Sequence, residues 1–227
     1  MFDAIAWRYD LLNRLISLGM DGRWRRRLVA ALALGPRAHV LDVACGTADV
    51  GLTLAAMQPG TRVVGVDTSV EMLEIGGNKL RRRLLDGQVR LIFGDAEALP
   101  FGAHTFDACT MAFGIRNVGD RPRALREMVR VCRPDRPVAI LELCEPQDGP
   151  WAGPARLWVH RLVPALGAWL SRAPEYRYLS RSIAAFPPPA RFRAMMAEAG
   201  LGDVQVTALG FGALALFVGR TPKAGGA

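Results

Sequence analysis

The chain has 227 residues, of which 51% are hydrophobic and 22% charged. These are ordinary globular values, so they exclude an intrinsically disordered or fibrous protein and predict one domain with one buried core. Basic residues outnumber acidic ones by 29 to 21, which gives a formal net charge of +8. An arginine-rich surface of this kind is compatible with simple solvation, with nucleic acid or with an anionic membrane surface.

The cysteines carry no metal-binding pattern. There is no C-x-x-C pair, and no histidine stands at zinc-ligand spacing from Cys45, Cys109, Cys132 or Cys144, so we predict no metal site. Three of them lie in or beside apolar, strand-like runs, which is typical of free cysteine in a reducing compartment. With no signal-peptide pattern and no uninterrupted apolar run of about 18 residues, we expect a cytoplasmic protein, at most at the inner face of the membrane.

The first 34 residues carry apolar side chains at helical spacing, interrupted by Gly19 and Gly22, which predicts two or three short helices. From residue 39 the pattern changes to short apolar runs, at residues 39–44, 62–67, 89–95, 106–113 and 137–144. Helical segments are predicted between them, over residues 50–57, 70–85 and 122–131. Strands that alternate with helices form a parallel sheet covered on both faces, because parallel strands need crossover connections.

After residue 144 the alternation stops. Apolar helical segments over 151–170, with three tryptophans, and over 173–186 predict a helical insertion or lid. A helix over 190–199 and two closely joined runs, 204–209 and 213–219, then predict a C-terminal helix and an antiparallel hairpin. A doubly wound α/β sheet, mostly parallel and closed by such a hairpin, is the Rossmann-like class I methyltransferase fold. We therefore predict a single domain with a helical cap (1–34), a cofactor-binding core (35–145), a lid (146–190), and a helix and hairpin (191–220).

Small residues follow the first predicted strand at positions 44–48, and acidic residues end three strands in succession: Asp42, Asp67 and Asp95. Small residues between a strand and a helix let a ligand approach the backbone. The segment lacks the G-x-G-x-x-G spacing of a dinucleotide site. A carboxylate at the second strand end can accept hydrogen bonds from both hydroxyls of a ribose, and one at the third from an adenine amino group. This pattern favours a cationic adenosine ligand, S-adenosylmethionine.

Several segments are more distinctive than this loop, above all Phe-Gly-Ile-Arg-Asn at 113–117 and Tyr-Arg-Tyr-Leu at 176–179. Together with residues 2–6, 8–10 and 94–101, they resemble the quinone-biosynthesis C-methyltransferases of the UbiE/MenG type. The resemblance covers essentially the whole chain. It implies S-adenosylmethionine-dependent methylation of a ring carbon in a prenylated quinol, either demethylmenaquinol, which becomes menaquinol, or the benzoquinol precursor of ubiquinone.

The resemblance also implies where the cofactor binds. With the strand-end pattern, it predicts a site formed by Asp42, Gly46, Thr47, Asp67, Thr68, Asp95, Ala96 and Ala112. Two positions depart from the family: Ala112 stands where relatives often carry serine, so a hydroxyl contact is lost, and Ala48 replaces the usual glycine.

For catalysis, the family proposal implies an arginine beside the quinol hydroxyl, here Arg116, with Tyr9 and Asn117 nearby. A ring carbon becomes nucleophilic when the adjacent hydroxyl loses its proton, and a guanidinium can stabilise the resulting phenolate. Because a guanidinium stays protonated, a water molecule, Tyr9, Asp10 or His160 must accept that proton.

Other interpretations remain open. Arg116 can be a structural ion-pair partner of Glu142 at the end of the fifth strand, a role compatible with catalysis. The tryptophan-bearing helix over 151–170 can contact the prenyl tail and the membrane surface, or form an ordinary lid or a homodimer contact. The same fold also serves methyltransferases for phenols, polyketides or sterols, and non-catalytic proteins. Methylation of nucleic acid is not expected, because the sequence has no Asn-Pro-Pro-aromatic motif and no reader module.

Overall fold

A computed structural model of the chain describes residue 17, residues 19–146, residue 153 and residues 181–225. The predicted helical segments over 151–170, apart from residue 153, and over most of 1–20 lie outside the described residues, as do residues 173–180 of the segment predicted over 173–186. Tyr9, Asp10 and His160 also lie outside them.

One seven-stranded sheet forms the centre of the described structure, in the order β3-β2-β1-β4-β5-β7-β6. Its strands are β1 (His39–Val43), β2 (Arg62–Asp67), β3 (Val89–Phe93), β4 (Ala108–Ala112), β5 (Pro137–Leu143), β6 (Gly202–Leu209) and β7 (Leu214–Arg220). Strand β7 runs antiparallel to β5 and β6, and the other neighbours are parallel. The predicted doubly wound sheet with a C-terminal hairpin is thus confirmed.

Helices cover both faces of the sheet: α1 (Asp21–Ala31), α2 (Asp49–Met57), α3 (Val70–Arg82), α4 (Arg121–Val131) and α5 (Pro189–Glu198). Side-chain caps fix the start of two of them, because Ser69 accepts a hydrogen bond from the Met72 N–H and Asp120 accepts one from the Arg123 N–H. Within the described residues, no helix has the length and apolar content needed to cross a bilayer.

The apolar core has two layers, because side chains alternate across the sheet. Leu41 and Val43 of β1 join a cluster with α4 and α5, whereas Val40 joins a cluster with α1, α2 and α3. One predicted strand is shorter than expected at its start: β4 begins at Ala108 because Phe106 forms an isolated bridge outside the ladder. The two layers leave the carboxyl ends of the parallel strands uncovered by core side chains.

The four cysteines are free and buried, as the apolar surroundings of three of them predict. Burial raises the pKa of the Cys45 and Cys109 thiols well above the ordinary value and that of Cys144 to about 12. For Cys45, the nearby carboxyl groups of Asp42 and Asp67 act in the same direction.

Helix α3 packs directly on the start of α2. A Cβ placed at Gly76 would lie 2.8 Å from Leu91 Cδ1, 3.1 Å from the carbonyl carbon of Thr47 and 3.2 Å from Ala48 Cβ. Ala48 has a left-handed φ of 66°, which is uncommon for a residue with a side chain. Glycine at position 76 is therefore required by the close approach of α3 to the loop that precedes α2.

We expect Gly76→Ala to destabilise the fold by about 1–3 kcal/mol, because its methyl group would displace the loop and this outweighs the better helix propensity of alanine. The matched control is Gly77→Ala, whose Cβ would meet only Arg81 Nη1 at 3.4 Å. That variant should be neutral or more stable by up to ~1 kcal/mol. Urea unfolding of both variants measures the difference, and equal stability would contradict the proposed contact.

Candidate active site

A cleft of about 200 Å³ opens at the carboxyl ends of β1, β2, β3 and β4. The strand order reverses between β1 and β4, and such a switch point is where open α/β sheets bind ligands. The cleft brings together seven of the predicted site residues: Gly46, Asp67, Thr68, Asp95, Ala96, Ala112 and Asn117.

Asp67, at the end of β2, holds the loop that follows β1. Its Oδ2 accepts a hydrogen bond from the Gly46 N–H at 2.7 Å, and its Oδ1 accepts one from the Ser69 N–H at 2.9 Å. Each carboxylate oxygen has two lone pairs, so the two backbone contacts do not exhaust the acceptor capacity of the group. The same carboxylate can therefore order the loop and bind hydroxyl groups in the cleft.

The segment after β3 forms the opposite wall of the cleft. Asp95 is exposed and accepts a hydrogen bond from the Glu97 N–H at 2.9 Å. Glu97 in turn accepts one from the Asp120 N–H at 2.8 Å, at the start of α4. This chain of contacts ties the wall to the rigid end of a helix, so the Asp95 carboxylate is held at the edge of the cleft.

A second, smaller cavity of about 40 Å³ adjoins the cleft and is lined by Arg25, Asp42, Thr47 and Asp49. The two spaces share a wall formed by Ala44, Gly46, Ala112 and Phe113. Asp42 and Thr47, predicted to lie with the cleft residues, therefore line the adjoining cavity. For Asp42 the reason is strand geometry: Val43 faces α4 and α5, so its neighbour in the strand faces α1 and α2.

Asp42 is 1% exposed, and neither of its carboxyl oxygens has a hydrogen-bond partner in the described part of the chain. Burial raises its pKa well above the ordinary value of 3.8, and the nearby Asp67 and Asp49 add to the rise, while Arg25 opposes it. The buried hydroxyl of its register partner on β4, Thr110, likewise has no hydrogen-bond partner among the described residues. Buried polar groups are normally satisfied, so this pair indicates a place for a polar group of a ligand.

Three charged residues around this cavity were missed by sequence reasoning as site residues. Asp49, at the start of α2, pairs with Arg25 of α1 at 3.3 Å and with Lys79 of α3 at 2.6 Å. Lys79 also donates a hydrogen bond to Thr47 Oγ1 at 2.9 Å. Their sequence separation hides the cluster, because only the packing of three helices brings them together.

Arg116 and Glu142 form the buried ion pair that was one of the two interpretations of this arginine. Arg116 Nη1 lies 2.6 Å from Glu142 Oε1, and the side chains are 8% and 0% exposed. The same nitrogen donates to the Phe113 carbonyl at 2.7 Å, and the Arg116 N–H donates to Glu142 Oε2 at 3.2 Å. Its neighbour Asn117 lines the cleft, whereas Arg116 is not among the described residues that line it.

The wall that the cleft shares with the Asp42 cavity is closely packed. A Cβ at Gly114 would lie 2.6 Å from Ala44 Cβ, so the segment after β4 crosses directly over the loop after β1. Ala44 and Phe113 both have left-handed φ values, 53° and 59°, which are uncommon for residues with a side chain. This contact lies where the cleft and the Asp42 cavity adjoin.

The fold is shared with solved structures of low sequence identity. An S-adenosylmethionine-dependent methyltransferase from Aquifex aeolicus matches with a TM-score of 0.63 at 18% identity, over 86% of this chain and 88% of that one. The [4+2]-cyclase SpnF matches with the same TM-score at 17% identity, over 89% and 81% of the two chains. Because one of these proteins is named as a cyclase, the likeness establishes the fold alone.

Sequence comparison is more specific. A profile of the ubiE/COQ5 methyltransferase family matches residues 1–221. The demethylmenaquinone methyltransferase of Thermus thermophilus is 45% identical over 98% of this chain and all of that protein. The ubiquinone/menaquinone biosynthesis C-methyltransferase UbiE of Syntrophotalea carbinolica is 42% identical over 96% of this chain and 92% of that protein.

The fold, the switch-point cleft and these relatives define an S-adenosylmethionine-dependent methyltransferase of class I. More particularly, the chain belongs to the ubiE/COQ5 methyltransferase family.

The buried carboxyl of Asp42 should make stability depend on pH. Because its folded-state pKa is raised, it stabilises the fold below its ordinary pKa, and this contribution is lost as the pH rises toward the raised value. Asp42→Asn removes the titration, so the variant should gain stability relative to the wild type between about pH 5 and about pH 8.

Urea unfolding across this pH range measures the effect. Asp49→Asn is the control, because it makes the same chemical change at a carboxylate that has Arg25 and Lys79 as partners. That variant should lose stability instead. A stability difference between Asp42→Asn and the wild type that does not change with pH would show that Asp42 is not the titrating group.

Proposed function

We propose that this enzyme transfers a methyl group from S-adenosylmethionine to a ring carbon of a prenylated quinol, with demethylmenaquinol as the first candidate and the benzoquinol precursor of ubiquinone as the second. The observation that carries the proposal is the continuity of two polar spaces at the switch point, one lined by Asp67 and Asp95 and the other by Asp42. The choice of acceptor rests on the relatives named as demethylmenaquinone methyltransferase and UbiE. Because the prenyl tail of such a quinol lies in the bilayer, we expect the enzyme to work in the cytoplasm at the membrane's inner face.

The residues present fit the cofactor. We assign Asp95 and Ala96 to its adenine and Asp67 and Thr68 to its ribose, because the exposed or partly exposed carboxylates can accept from amino and hydroxyl groups. When bound, S-adenosylmethionine supplies an electrophilic methyl group on a sulfonium.

The second cavity suits the amino-acid end of the same molecule. The Asp42 carboxyl is buried and has no hydrogen-bond partner among the described residues, so it can accept from an α-amino group, and Arg25 carries the positive charge that a carboxylate requires. Gly46 lines both the cleft and this cavity, and Thr47 lines the cavity alone. The polar groups of the cavity thus match the amino and carboxylate groups of an amino acid.

On the acceptor side, we assign to Arg116 the stabilisation of the phenolate that forms when the quinol hydroxyl loses its proton. Its pairing with Glu142 fixes the plane of the guanidinium through Nη1, so the group is oriented before the substrate binds. Asn117, which lines the cleft, and Tyr9 are proposed to position the ring. A water molecule, Tyr9, Asp10 or His160 accepts the proton.

We expect Arg116→Lys to lower kcat by about 100-fold while leaving the affinity for S-adenosylmethionine unchanged, because lysine keeps the charge opposite Glu142 but loses the planar fork of donors. Arg130→Lys is the matched control, since Arg130 also pairs with a carboxylate, Glu127, and donates to backbone carbonyls, those of Leu99 and Phe101. It should retain its activity. Steady-state kinetics and calorimetric titration separate the two quantities, and full kcat in Arg116→Lys would remove the catalytic assignment.

The acceptor is tested by incubating the enzyme with labelled S-adenosylmethionine and, separately, reduced demethylmenaquinol and the reduced benzoquinol precursor. We expect label on the ring carbon of demethylmenaquinol at the higher rate. Faster labelling of the benzoquinol would reverse the order of the two candidates. Transfer only to phenols, polyketides or sterols in a parallel panel would overturn the proposed acceptor class.

A further inference from the structure

The hairpin between β6 and β7 presents an exposed aromatic side chain in a strained conformation. The turn consists of residues Gly210–Gly212, and Phe211 at its centre is 67% exposed with φ 57° and ψ 29°. A bulky residue in the left-handed region costs conformational energy, and such strain persists where the surrounding structure imposes it. The flanking glycines also have positive φ, so all three residues of the turn adopt a positive φ.

This turn lies at the same edge of the sheet as the cleft. Leu143, the last residue of β5, pairs with Leu214, the first residue of β7, so the turn that precedes β7 lies beside the carboxyl ends of the parallel strands. The turn also lies close to α1, because a Cβ at Gly210 would lie 3.3 Å from Trp24.

Helix α1 adds positive charge to this edge. Arg23 and Arg27 are exposed, and neither has an ion-pair partner within the described residues. Arg26 is exposed too, but it lines a separate cavity with Met57 of α2 and with Arg83. Arg25 differs from them, because it pairs with Asp21 and Asp49 and lines the Asp42 cavity. Helix α1 begins at the cleft edge, since Arg25 reaches the start of α2, and it runs from there toward the opposite edge, where β1 begins.

We propose that Phe211, Arg23 and Arg27 form a docking rim that holds the mouth of the active site against an anionic phospholipid surface. The aromatic ring enters the boundary between headgroups and acyl chains, and the two guanidinium groups contact lipid phosphates. The inference rests on the proposed function for its purpose, because a prenylated quinol resides in the bilayer. One aromatic ring beside an arginine-rich helix fits a bilayer better than a nucleic-acid strand, which stacks on successive aromatic platforms.

The molecule contains a matched control surface. Leu84, just after α3, is 88% exposed and has a left-handed φ of 55°. It follows three arginines, Arg81, Arg82 and Arg83. This surface lies between α3 and the start of β3, at the edge of the sheet opposite the cleft. It therefore combines an exposed apolar side chain with arginines, as the docking rim does, but it lies away from the mouth of the active site.

The test is co-sedimentation of the full chain with phosphatidylcholine vesicles that contain either no phosphatidylglycerol or about 30% of it, a fraction chosen to give an anionic surface. We expect binding to the anionic vesicles that weakens at high salt. Phe211→Asn removes the ring but keeps a residue that tolerates positive φ, and it should weaken binding on the order of tenfold. Replacing Arg23 and Arg27 together by glutamine should weaken it by at least as much.

The control variants are Leu84→Asn and the replacement of Arg81 and Arg82 by glutamine, and both should bind as the wild type does. Arg83 is left unchanged, because it lines a cavity with Arg25 and Arg26 of α1. Wild-type binding by the two docking-rim variants would overturn the proposal, and so would an equal loss in the control variants. A single-stranded oligoribonucleotide serves as a further probe. Binding of this probe that depends on Phe211, without vesicle binding, would assign the rim to nucleic acid instead.

Vesicle binding is measured without cofactor or quinol, so its outcome does not depend on whether the proposed reaction is correct. As a second readout, Phe211→Asn should methylate a short-tailed, water-soluble quinol at the wild-type rate but a long-tailed quinol in anionic vesicles several-fold more slowly. Equal slowing with both quinols would show that Phe211 acts inside the active site and would overturn the docking role.

Discussion

The Asp67 carboxylate is the contact on which the binding edge depends. It accepts hydrogen bonds from the backbone of the loop after β1 and from the turn before α3, and so it fixes two neighbouring strand ends relative to each other. Loops at a sheet edge have no ladder to hold them, and their backbone donors need partners. Placing a carboxylate there satisfies those donors and leaves acceptor capacity in the cleft. The same atoms thereby serve folding and ligand binding.

The two sides of the sheet make different contributions to the site. On the face of α1, α2 and α3, Arg25 and Asp49 line a cavity with the buried Asp42 carboxyl, which has no hydrogen-bond partner in the part of the chain that the structure describes. Lys79 pairs with Asp49 there. On the other face, Glu142 is fully buried and holds Arg116. Buried charges of this kind contribute little net stability and are costly when one partner is removed. Their arrangement at the ends of β1 and β5 is better explained by what they orient than by what they stabilise.

Much of this architecture could be predicted from the sequence, because it follows from local patterns. Alternating strands and helices gave the sheet, and the strand-end position of Asp67 and Asp95 placed both at the cleft. Asp42 shared that pattern, but the alternation of side chains along β1 turns it toward another cavity. The roles of Lys79 and Thr110 depend on contacts between elements that are distant in the sequence, and no local periodicity encodes such contacts. Ala48 shows a further limit of sequence-based prediction. Its backbone is left-handed, and without a glycine at that position the sequence does not predict this conformation.

The buried cysteines have a practical consequence for how this protein responds to oxidants and alkylating reagents. The reactive species is the thiolate, and burial raises the pKa of Cys45, Cys109 and Cys144. In the intact fold these sulfurs are therefore both shielded and protonated at neutral pH. Cys109 lies on β4, Cys45 shortly after β1 and Cys144 directly after β5, so modification requires the sheet itself to open. The rate of thiol labelling thus reports on the opening of the central sheet, without any introduced probe.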